Sequence, residues 1–349
     1  MKQISVLVVD DSTFARDLIG AILSADPEIR VAGEAANGKD AVEKVRHLKP
    51  DIVTMDIEMP VMDGLTAIEQ IMAAHAVPIL VVTSRADART AYAAISKGAL
   101  DLVAKPEVNL EGAEEFISKI KLLSQIRVIT HIQGKRLAAE TKPPPVVLKS
   151  APVDRAIAIA ASTGGPEALS VLFSRLPENF ACPIVVAQHI SDGFVSGMVE
   201  WLRKITKVQV KMAEGGELLA PGTVYISPSE KHTEITDARR VRFIERHPKD
   251  IYRPSCDMLL SSVARAYGAK GIGIILTGMG NDGVLGMQRI REAGGITIAQ
   301  DEKTSVVFGM PRVAIDSGCI AMILPLDEIV AEILKLVGAV ALGEKKNAG

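Results

Sequence analysis

The stretch Arg155–Leu169, RAIAIAASTGGPEAL, decides how the second half of this chain folds. It begins as an apolar, β-favouring run and stops at a serine and a threonine, Ser162 and Thr163. Two glycines and a proline then lead into a helix-like pattern. A buried strand that passes through a polar turn into a helix is the repeating unit of an α/β domain with a parallel sheet. The sequence therefore predicts such a domain, with Ser162 at the tip of a strand.

Length and composition set the broad class of the protein. The chain has 349 residues, more than one hydrophobic core usually organises, which predicts two domains. Its composition, 48% hydrophobic but only 3% aromatic, favours an α/β protein over an all-β sandwich. The formal net charge of −2 provides no global basic field, so we expect no nucleic-acid partner and no attraction to an acidic membrane.

The cysteines and the first residues indicate the compartment. Cys182, Cys256 and Cys319 lie far apart with no CxxC pair, which argues against a disulfide framework and against a zinc site. The opening MKQISVLVVDDS reaches acidic residues at once, unlike a signal peptide. No apolar run reaches the roughly 18 residues that a spanning helix requires. We therefore expect a cytoplasmic protein without membrane insertion.

The first half alternates between short apolar runs and amphipathic segments. Five predicted strands interleave with five predicted helices, which is the pattern of a doubly wound parallel sheet. We place this first domain at residues 1–125. A linker at residues 126–153 comes next, because three consecutive prolines and scattered charges make a poor core element and a good spacer.

The second half starts a new series of strands and helices. It predicts a second, mostly parallel sheet at residues 154–340 and a frayed tail at residues 341–349. A strand-rich segment with several turn signals, residues 208–246, is interpreted as a β-hairpin insertion in this domain.

Acidic residues follow two strands of the first domain. Asp10 and Asp11 come after the first strand and Asp56 after the third, so all three should meet at the carboxyl edge of the sheet. Converging carboxylates repel one another unless a cation lies between them, and hard oxygen ligands select Mg²⁺. One carboxylate could then accept a phosphoryl group, with Thr83 and Lys105 at the ends of strands four and five. The alternative is that these aspartates simply cap the following helices.

The order of these motifs resembles a known family. VDDS, MDIEMPVMDG, VVTS and KP, each at a strand end, are similar to the motifs of the response-regulator receiver domain over residues 1 to about 125. The resemblance implies a flavodoxin-like fold and a magnesium site at Asp10, Asp11 and Asp56. It also implies that Asp56 is the phospho-acceptor, Thr83 the switch hydroxyl and Lys105 the amine that pairs with the phosphate.

Ser162 has two interpretations. A serine before a helix is most often an N-cap, whereas a nucleophilic serine needs an adjacent base, an orienting acid and donors for the oxyanion. His189 ends the next strand and Asp282 follows another strand end, so all three loops should share one edge of the sheet. Taken singly, His189 could be a half-buried histidine and Asp282 a turn aspartate. His232 is the other histidine that a site could use, either as a substrate contact or as a surface residue.

The motifs of the second half resemble a second family. AASTGGPEAL, VVAQHI and ILTGMGNDGVLGM are similar to the catalytic domain of the chemotaxis protein-glutamate methylesterases, and with the receiver in front the resemblance covers the whole chain. It implies a Rossmann-like catalytic domain in which Ser162 is the nucleophile, His189 the general base and Asp282 its orienting acid. Amides near Thr163 and Met279 would form the oxyanion hole.

The resemblance also implies a function and partners. The protein would demethylate glutamate γ-methyl esters of chemoreceptors, releasing methanol, and deamidate receptor glutamines. A chemotaxis histidine kinase would be the phosphodonor, with Mg²⁺ at the receiver and no cofactor in the catalytic domain. We hypothesise that the unmodified receiver blocks the active-site edge and that phosphorylation of Asp56 moves it away. Two alternatives are a non-catalytic receptor-binding adaptor and a transcriptional regulator, although no helix-turn-helix pattern is present.

Overall fold

The computed structural model describes residues 3–84, 88–107, 112–126, 128, 146–148, 154–247 and 249–341. The chain divides into two compact units, Met1–Ala139 and Glu140–Gly349. Most of the predicted linker, and all but the first residue of the predicted tail, lie outside the described residues. None of the described helices is long and apolar enough to span a membrane.

The first unit contains a five-stranded parallel sheet in the order β2-β1-β3-β4-β5. Its strands and helices alternate along the chain as predicted. The strands are β1 Ile4–Val9, β2 Ile29–Ala35, β3 Ile52–Met55, β4 Ile79–Thr83 and β5 Asp101–Ala104. The helices are α1 Thr13–Ser24, α2 Gly38–Leu48, α3 Gly64–Ala74, α4 Ala88–Ser96 and α5 Ala113–Leu123.

The central strands of this sheet are almost wholly buried, as strands are when helices cover both faces of a sheet. Every residue of β3 and β4 is buried, and in β1 only the first residue is partly exposed. Continuous burial is the mark of a parallel strand inside an α/β domain. The prediction of a doubly wound first domain is therefore confirmed.

The second unit contains a seven-stranded sheet in the order β15-β14-β13-β7-β8-β10-β9, with every neighbouring pair parallel. Two antiparallel pairs, β11 with β12 and β6 with β16, lie apart from it. The strands are β6 Val146–Leu148, β7 Ala156–Ala161, β8 Ile184–Gln188, β9 Gln209–Met212, β10 Thr223–Ile226, β11 Lys231–Ile235, β12 Val241–Glu245, β13 Gly271–Ile275, β14 Ile296–Gln300, β15 Met322–Leu324 and β16 Ala339–Ala341. The α-helices are α6 Gly165–Ser174, α7 Val195–Ile205, α8 Cys256–Tyr267, α9 Val284–Glu292, α10 Met310–Asp316 and α11 Leu326–Leu336.

The predicted insertion at residues 208–246 is smaller than the sequence suggested. Only β11 and β12 form the antiparallel hairpin. β9 and β10 instead extend the parallel sheet beyond β8, and all four residues of β10 are buried. A strand buried on both faces packs inside a layered sheet rather than in a solvent-facing hairpin.

The sheet order places β7 between β8 and β13. The carboxyl ends of these three strands lead directly to Ser162, His189 and the loop that carries Asp282. All six residues of β7 are fully buried, so the turn that carries Ser162 rises from the middle of the core. Function in open parallel sheets is concentrated at this edge.

Candidate functional sites

Ser162 is not the cap of the helix after β7. The N-cap of α6 is Gly164, whose φ of 77° lies in the left-handed region that glycine tolerates best. Among the described residues, the Ser162 hydroxyl makes no hydrogen bond, and 8% of the residue is exposed. The interpretation of Ser162 as a helix cap is therefore wrong.

Neighbouring strands hold the Ser162 backbone from both sides. Its amide donates to Thr277 O beyond β13 at 3.0 Å. Its carbonyl accepts from Gln188 Nε2 and from Gly165 N, each at 2.8 Å. On the β8 side, His189 N donates to Ala161 O at 2.9 Å. Ser162 and His189 therefore leave the sheet at the ends of adjacent strands.

His189 and Asp282 form a direct pair. His189 Nε2 lies 2.8 Å from Asp282 Oδ2, and the imidazole stacks on Tyr252 with ring centroids 5.1 Å apart and an interplanar angle of 14°. Nδ1 makes no hydrogen bond within the described part of the chain. With the Nε2 proton donated to the carboxylate, Nδ1 is the nitrogen that can accept a proton.

The Asp282 carboxylate sits at the N-terminus of α8. Oδ2 accepts from Cys256 N at 2.6 Å, and Oδ1 accepts from Asp257 N at 2.9 Å and from Ser255 Oγ at 3.3 Å. Burial acts to raise the pKa of Asp282, but the hydrogen bond and charge of His189 and the helix amides outweigh it and lower the pKa. Free amides at a helix start favour an anion. Asp282 is thus held ionised and fixed in orientation.

Sequence reasoning missed that α8 and α9 bind each other's first amides through aspartate side chains. Asp282 precedes α9 and binds the first amides of α8, while Asp257 in α8 accepts from Gly283 N and Gly286 N at 2.9 and 2.8 Å. The Ser255 side chain caps α8 through Met258 N. An Asp two residues after a capping serine was the available signal, but it indicates only a helix start.

Among the amides near Ser162, those of Thr163 and Met279 have no acceptor within the described residues. Gln188 and Gly165 hold the carbonyl of the Ser162–Thr163 peptide. The carbonyl of the Gly278–Met279 peptide accepts from Gly309 N at 3.1 Å and Met310 N at 2.8 Å. Because C=O and N–H point in opposite directions in a trans peptide, anchoring each carbonyl also fixes the direction of each free N–H.

The approach of this loop to Ser162 requires glycine at position 278. A Cβ atom on Gly278 would lie 2.7 Å from Ser162 Cβ and 2.5 Å from Met310 Sδ. Met279 itself is 44% exposed, so this residue lies at an accessible part of the loop. The close approach of Gly278 to Ser162 thus brings the free amide of Met279 to the same edge as the serine.

His232 is not a surface residue. It is 3% exposed; its Nε2 lies 2.9 Å from Asp250 Oδ2, and its Nδ1 accepts from Ser255 N at 2.9 Å. Both ring nitrogens are therefore occupied by the chain itself. His232 supports the segment that leads into α8, and its interpretation as a surface residue is wrong.

The first unit gathers its acidic residues as predicted. One carboxylate oxygen each of Asp10, Asp11 and Asp56 lies within 4.8 Å of the other two. Lys105 Nζ lies 2.6 Å from Asp10 Oδ2 and 2.8 Å from Asp56 Oδ2. The N-cap of α1 is Ser12, so neither Asp10 nor Asp11 caps that helix. Three hard oxygen donors facing one lysine match the ligand preference of Mg²⁺.

The carboxylates of Asp10, Asp11 and Asp56 carry more negative charge than Lys105 compensates. Burial, together with the neighbouring Asp10, raises the pKa of Asp56 despite the ion pair with Lys105. For Lys105, burial alone would lower the pKa, but the bonds to Asp10 and Asp56 raise it. Thr83 is fully buried at the end of β4, and its hydroxyl has no partner among the described residues. The cluster therefore has capacity for a cation and an anionic group.

Comparison with known proteins gives two family matches. Residues 157–333 match the CheB methylesterase family, and residues 6–120 match the response regulator receiver domain. A protein-glutamate methylesterase/protein-glutamine glutaminase of Paramagnetospirillum magneticum is 49% identical over 347 residues, covering 97% of each chain. One from Geobacillus kaustophilus is 40% identical, over 97% of this chain and all of that protein.

A solved structure matches the second unit. The Thermotoga maritima CheB methylesterase catalytic domain is 38% identical and superposes with a TM-score of 0.50. The match covers 52% of this chain and 98% of that domain. The predicted α/β architecture of a receiver followed by a catalytic domain is confirmed.

Proposed function

Because this chain belongs to the CheB methylesterase family, we propose that it removes methyl groups from glutamate γ-methyl esters of chemoreceptors by serine hydrolysis, releasing methanol. The same acyl chemistry would deamidate receptor glutamines. The observation that carries the proposal is the His189–Asp282 pair at the end of the strand next to Ser162, whose hydroxyl is unpaired among the described residues. The protein would act in the cytoplasm.

The reaction begins with a proton transfer. His189 Nδ1 accepts the Ser162 proton as Oγ attacks the ester carbonyl carbon. The imidazolium that forms is stabilised by Asp282, whose charge is fixed by the amides of α8. The negative charge that develops on the carbonyl oxygen is received by the N–H groups of Thr163 and Met279. No rearrangement of these two peptides is needed, because their carbonyls are already anchored.

The tetrahedral intermediate then collapses. His189 returns its proton to the ester oxygen, the C–O bond breaks and methanol leaves an acyl group on Ser162 Oγ. Water, deprotonated by the same nitrogen, attacks the acyl carbon and regenerates Ser162 with a glutamate carboxylate as product. With a glutamine substrate the leaving group is ammonia.

Substitution of Ser162 separates this proposal from the adaptor alternative. We expect Ser162→Ala to abolish methanol release from methylated receptor membranes, by roughly 10⁴-fold or more, since losing a nucleophile disables the whole unit. Ser170→Ala, on helix α6, is the matched control and keeps activity. Methanol release by Ser162→Ala at the wild-type rate would favour a non-catalytic adaptor.

The receiver would control this reaction through Asp56. Asp10, Asp11 and Asp56 would hold Mg²⁺, which supplies positive charge to a transferring phosphoryl group. Asp56 would accept the phosphoryl group from a chemotaxis histidine kinase, Lys105 would pair with it, and Thr83 would respond to it. The Thr83 hydroxyl, which has no hydrogen-bond partner among the described residues, and the raised pKa of Asp56, caused mainly by burial, support these roles.

We propose occlusion as the form of control. An unmodified receiver would block the catalytic edge from a bulky helical substrate, and phosphorylation would release it. A small phosphodonor with Mg²⁺ should then raise methanol release by the full chain but not by Asp56→Asn. If residues 150–349 alone turned over no faster than the unphosphorylated full chain, occlusion would be wrong.

A further inference from the structure

The thiol of Cys256 lies in the same cluster as two of the proposed catalytic groups. Cys256 Sγ is 3.4 Å from His189 Nε2, which is 2.8 Å from Asp282 Oδ2. A donor atom from each of the three residues lies within 4.8 Å of the other two. The residues come from the end of β8, the start of α8 and the loop before α9. The wide spacing of the cysteines in the sequence gave no sign of this grouping.

Thiolate, imidazole and carboxylate are the ligands that zinc takes in proteins. With Zn–N near 2.05 Å and Zn–S near 2.3 Å, a tetrahedral ion separates its nitrogen and sulfur ligands by about 3.5 Å. The observed separation of 3.4 Å fits this value. The nitrogen and oxygen ligands would be about 3.3 Å apart, so His189 and Asp282 would have to separate by about 0.5 Å.

We propose that His189, Cys256 and Asp282 form an inhibitory site for Zn²⁺ or a similar soft divalent cation. A divalent ion bound by one thiolate and one carboxylate carries no net charge, as a buried site requires. Cys256 and Asp282 are buried, whereas 13% of the His189 side chain is exposed and provides the route of entry. The fourth position is left for water.

Metal binding would stop ester hydrolysis by moving the proton of the His189 imidazole. This part of the inference rests on the proposed function, in which His189 is the base. On binding, the metal takes the Nε2 lone pair, the Nε2 proton moves to Nδ1, and the thiol proton leaves to solvent. A proton on Nδ1 prevents that nitrogen from accepting the proton of Ser162. We therefore expect zinc to lower kcat while leaving KM for the methylated receptor unchanged.

The same thiol is poorly suited to be a redox sensor. Burial and the nearby Asp282 raise the pKa of Cys256 well above its ordinary value, so without metal it remains a protonated, unreactive thiol. Burial also raises the pKa of Cys182, to about 12. Among the described residues, Cys182 and Cys319 belong to no comparable cluster of metal-binding side chains, which makes Cys182 a matched control.

Cobalt binding to the full chain tests the site independently of activity. Co²⁺ should produce a thiolate-to-metal charge-transfer band in the wild type and in Cys182→Ala, and Zn²⁺ should displace it. Cys256→Ala should lack the band, because the receiver cluster offers only oxygen donors. The α8 amide that binds Asp282 is retained in this variant. Absence of the band in the wild type, or its persistence in Cys256→Ala, would overturn the site.

Zinc inhibition of methanol release tests the consequence. Each variant is compared with its own metal-free rate, so a change in basal activity does not affect the result. We expect the inhibitory zinc concentration to rise more than about tenfold in Cys256→Ala, because even outer-shell partners of a metal contribute that much. Equal zinc sensitivity in Cys256→Ala and the wild type would overturn the inhibitory role. If the metal-free wild type released no methanol, the proposed function would fail, and the cobalt band alone would decide the site.

Discussion

The two units use the same edge of the same kind of sheet for opposite electrostatic tasks. In the first unit, Asp10, Asp11 and Asp56 crowd together against one lysine, and burial raises the pKa of Asp56. In the second unit, the buried carboxylate of Asp282 is surrounded by donors, and its pKa is lowered although burial opposes this. The first arrangement has uncompensated charge and suits a cation and a phosphoryl group. The second is already compensated and suits proton transfer.

The difference arises from the residues at the carboxyl end of each strand. After β1 and β3, the carboxylates face one another across the sheet edge, and other residues, Ser12 and Asp63, cap the next helices. In the second unit the carboxylate of Asp282 itself accepts hydrogen bonds from the first amides of a helix. That helix is α8, which precedes Asp282 in the chain, and not α9, which follows it. The fold alone therefore does not determine function. The same sheet edge can gather several carboxylates, or it can surround one carboxylate with hydrogen-bond donors.

Asp282→Asn tests the ionised carboxylate whose charge is compensated by hydrogen-bond donors, and it should have the largest effect. An asparagine can present an NH₂ group to the amides of Cys256 and Asp257, and it no longer stabilises the imidazolium. We expect methanol release to fall by roughly 10⁴-fold, as when the histidine of a triad takes the wrong tautomer. A methanol assay and a thermal melt would be made on the same sample. Near-normal turnover by a folded variant would remove Asp282 from the proton-handling unit.

Met279→Pro tests the oxyanion donors. Proline deletes one free N–H, and losing one such donor costs about 3 kcal/mol, or roughly 10²-fold in kcat. Met279→Leu keeps the amide and serves as the matched control, with activity close to wild type. If both substitutions lowered kcat equally, the exposed side chain rather than the amide would be the functional group.

Tyr252 tests how the imidazole is positioned. Its ring stacks on His189, and its hydroxyl donates to Asn281 Oδ1 at 2.9 Å, next to Asp282. We expect Tyr252→Ala to lower kcat about tenfold, while Tyr252→Phe, which keeps the stack, stays within about threefold of wild type, since aromatic stacking contributes about 0.5–1.5 kcal/mol. Equal loss in both variants would assign the effect to the hydroxyl.

Asp56→Asn tests the carboxylate cluster of the receiver through its thermal stability. We expect this effect to be the smallest of the four. The folded pKa of Asp56 is raised, mainly by burial, so its ionised form costs stability. As pH rises from the ordinary carboxyl pKa through the raised value, the receiver should lose stability. In metal-free buffer Asp56→Asn should melt higher than the wild type at pH 7 and lack this slope. A lower melting temperature would mean that the Lys105 ion pair outweighs burial.

The sequence predicted at which sheet edges the candidate site residues lie, because the ends of strands can be located from apolar runs alone. Ser162, His189 and Asp282 each follow such a run, and the order of the strands places their loops at one edge. The turn signals around β9 and β10 resemble those of a hairpin, so local sequence favours an insertion there. Only pairing with β8 reveals that β10 belongs to the parallel sheet.

Side-chain partners separated by long stretches of chain could not be predicted. That His189 uses Nε2 toward Asp282, that α8 binds this carboxylate and that His232 is enclosed by Asp250 and Ser255 all depend on contacts across elements. Local patterns determine where a strand or helix begins, whereas hydrogen-bond partners are selected by packing. The contact between Cys256 and His189 likewise joins residues far apart in the sequence, so local patterns could not predict it.

Covalent labelling of Ser162 tests the central claim most directly, namely that a hydroxyl, an imidazole and a carboxylate act together. A fluorophosphonate reacts with a serine only when a base removes its proton, and peptide mass spectrometry locates the adduct. We predict one adduct, on Ser162, whose rate of formation falls about 10²–10⁴-fold in His189→Ala. An adduct on another residue, or an unchanged rate in His189→Ala, would contradict this account.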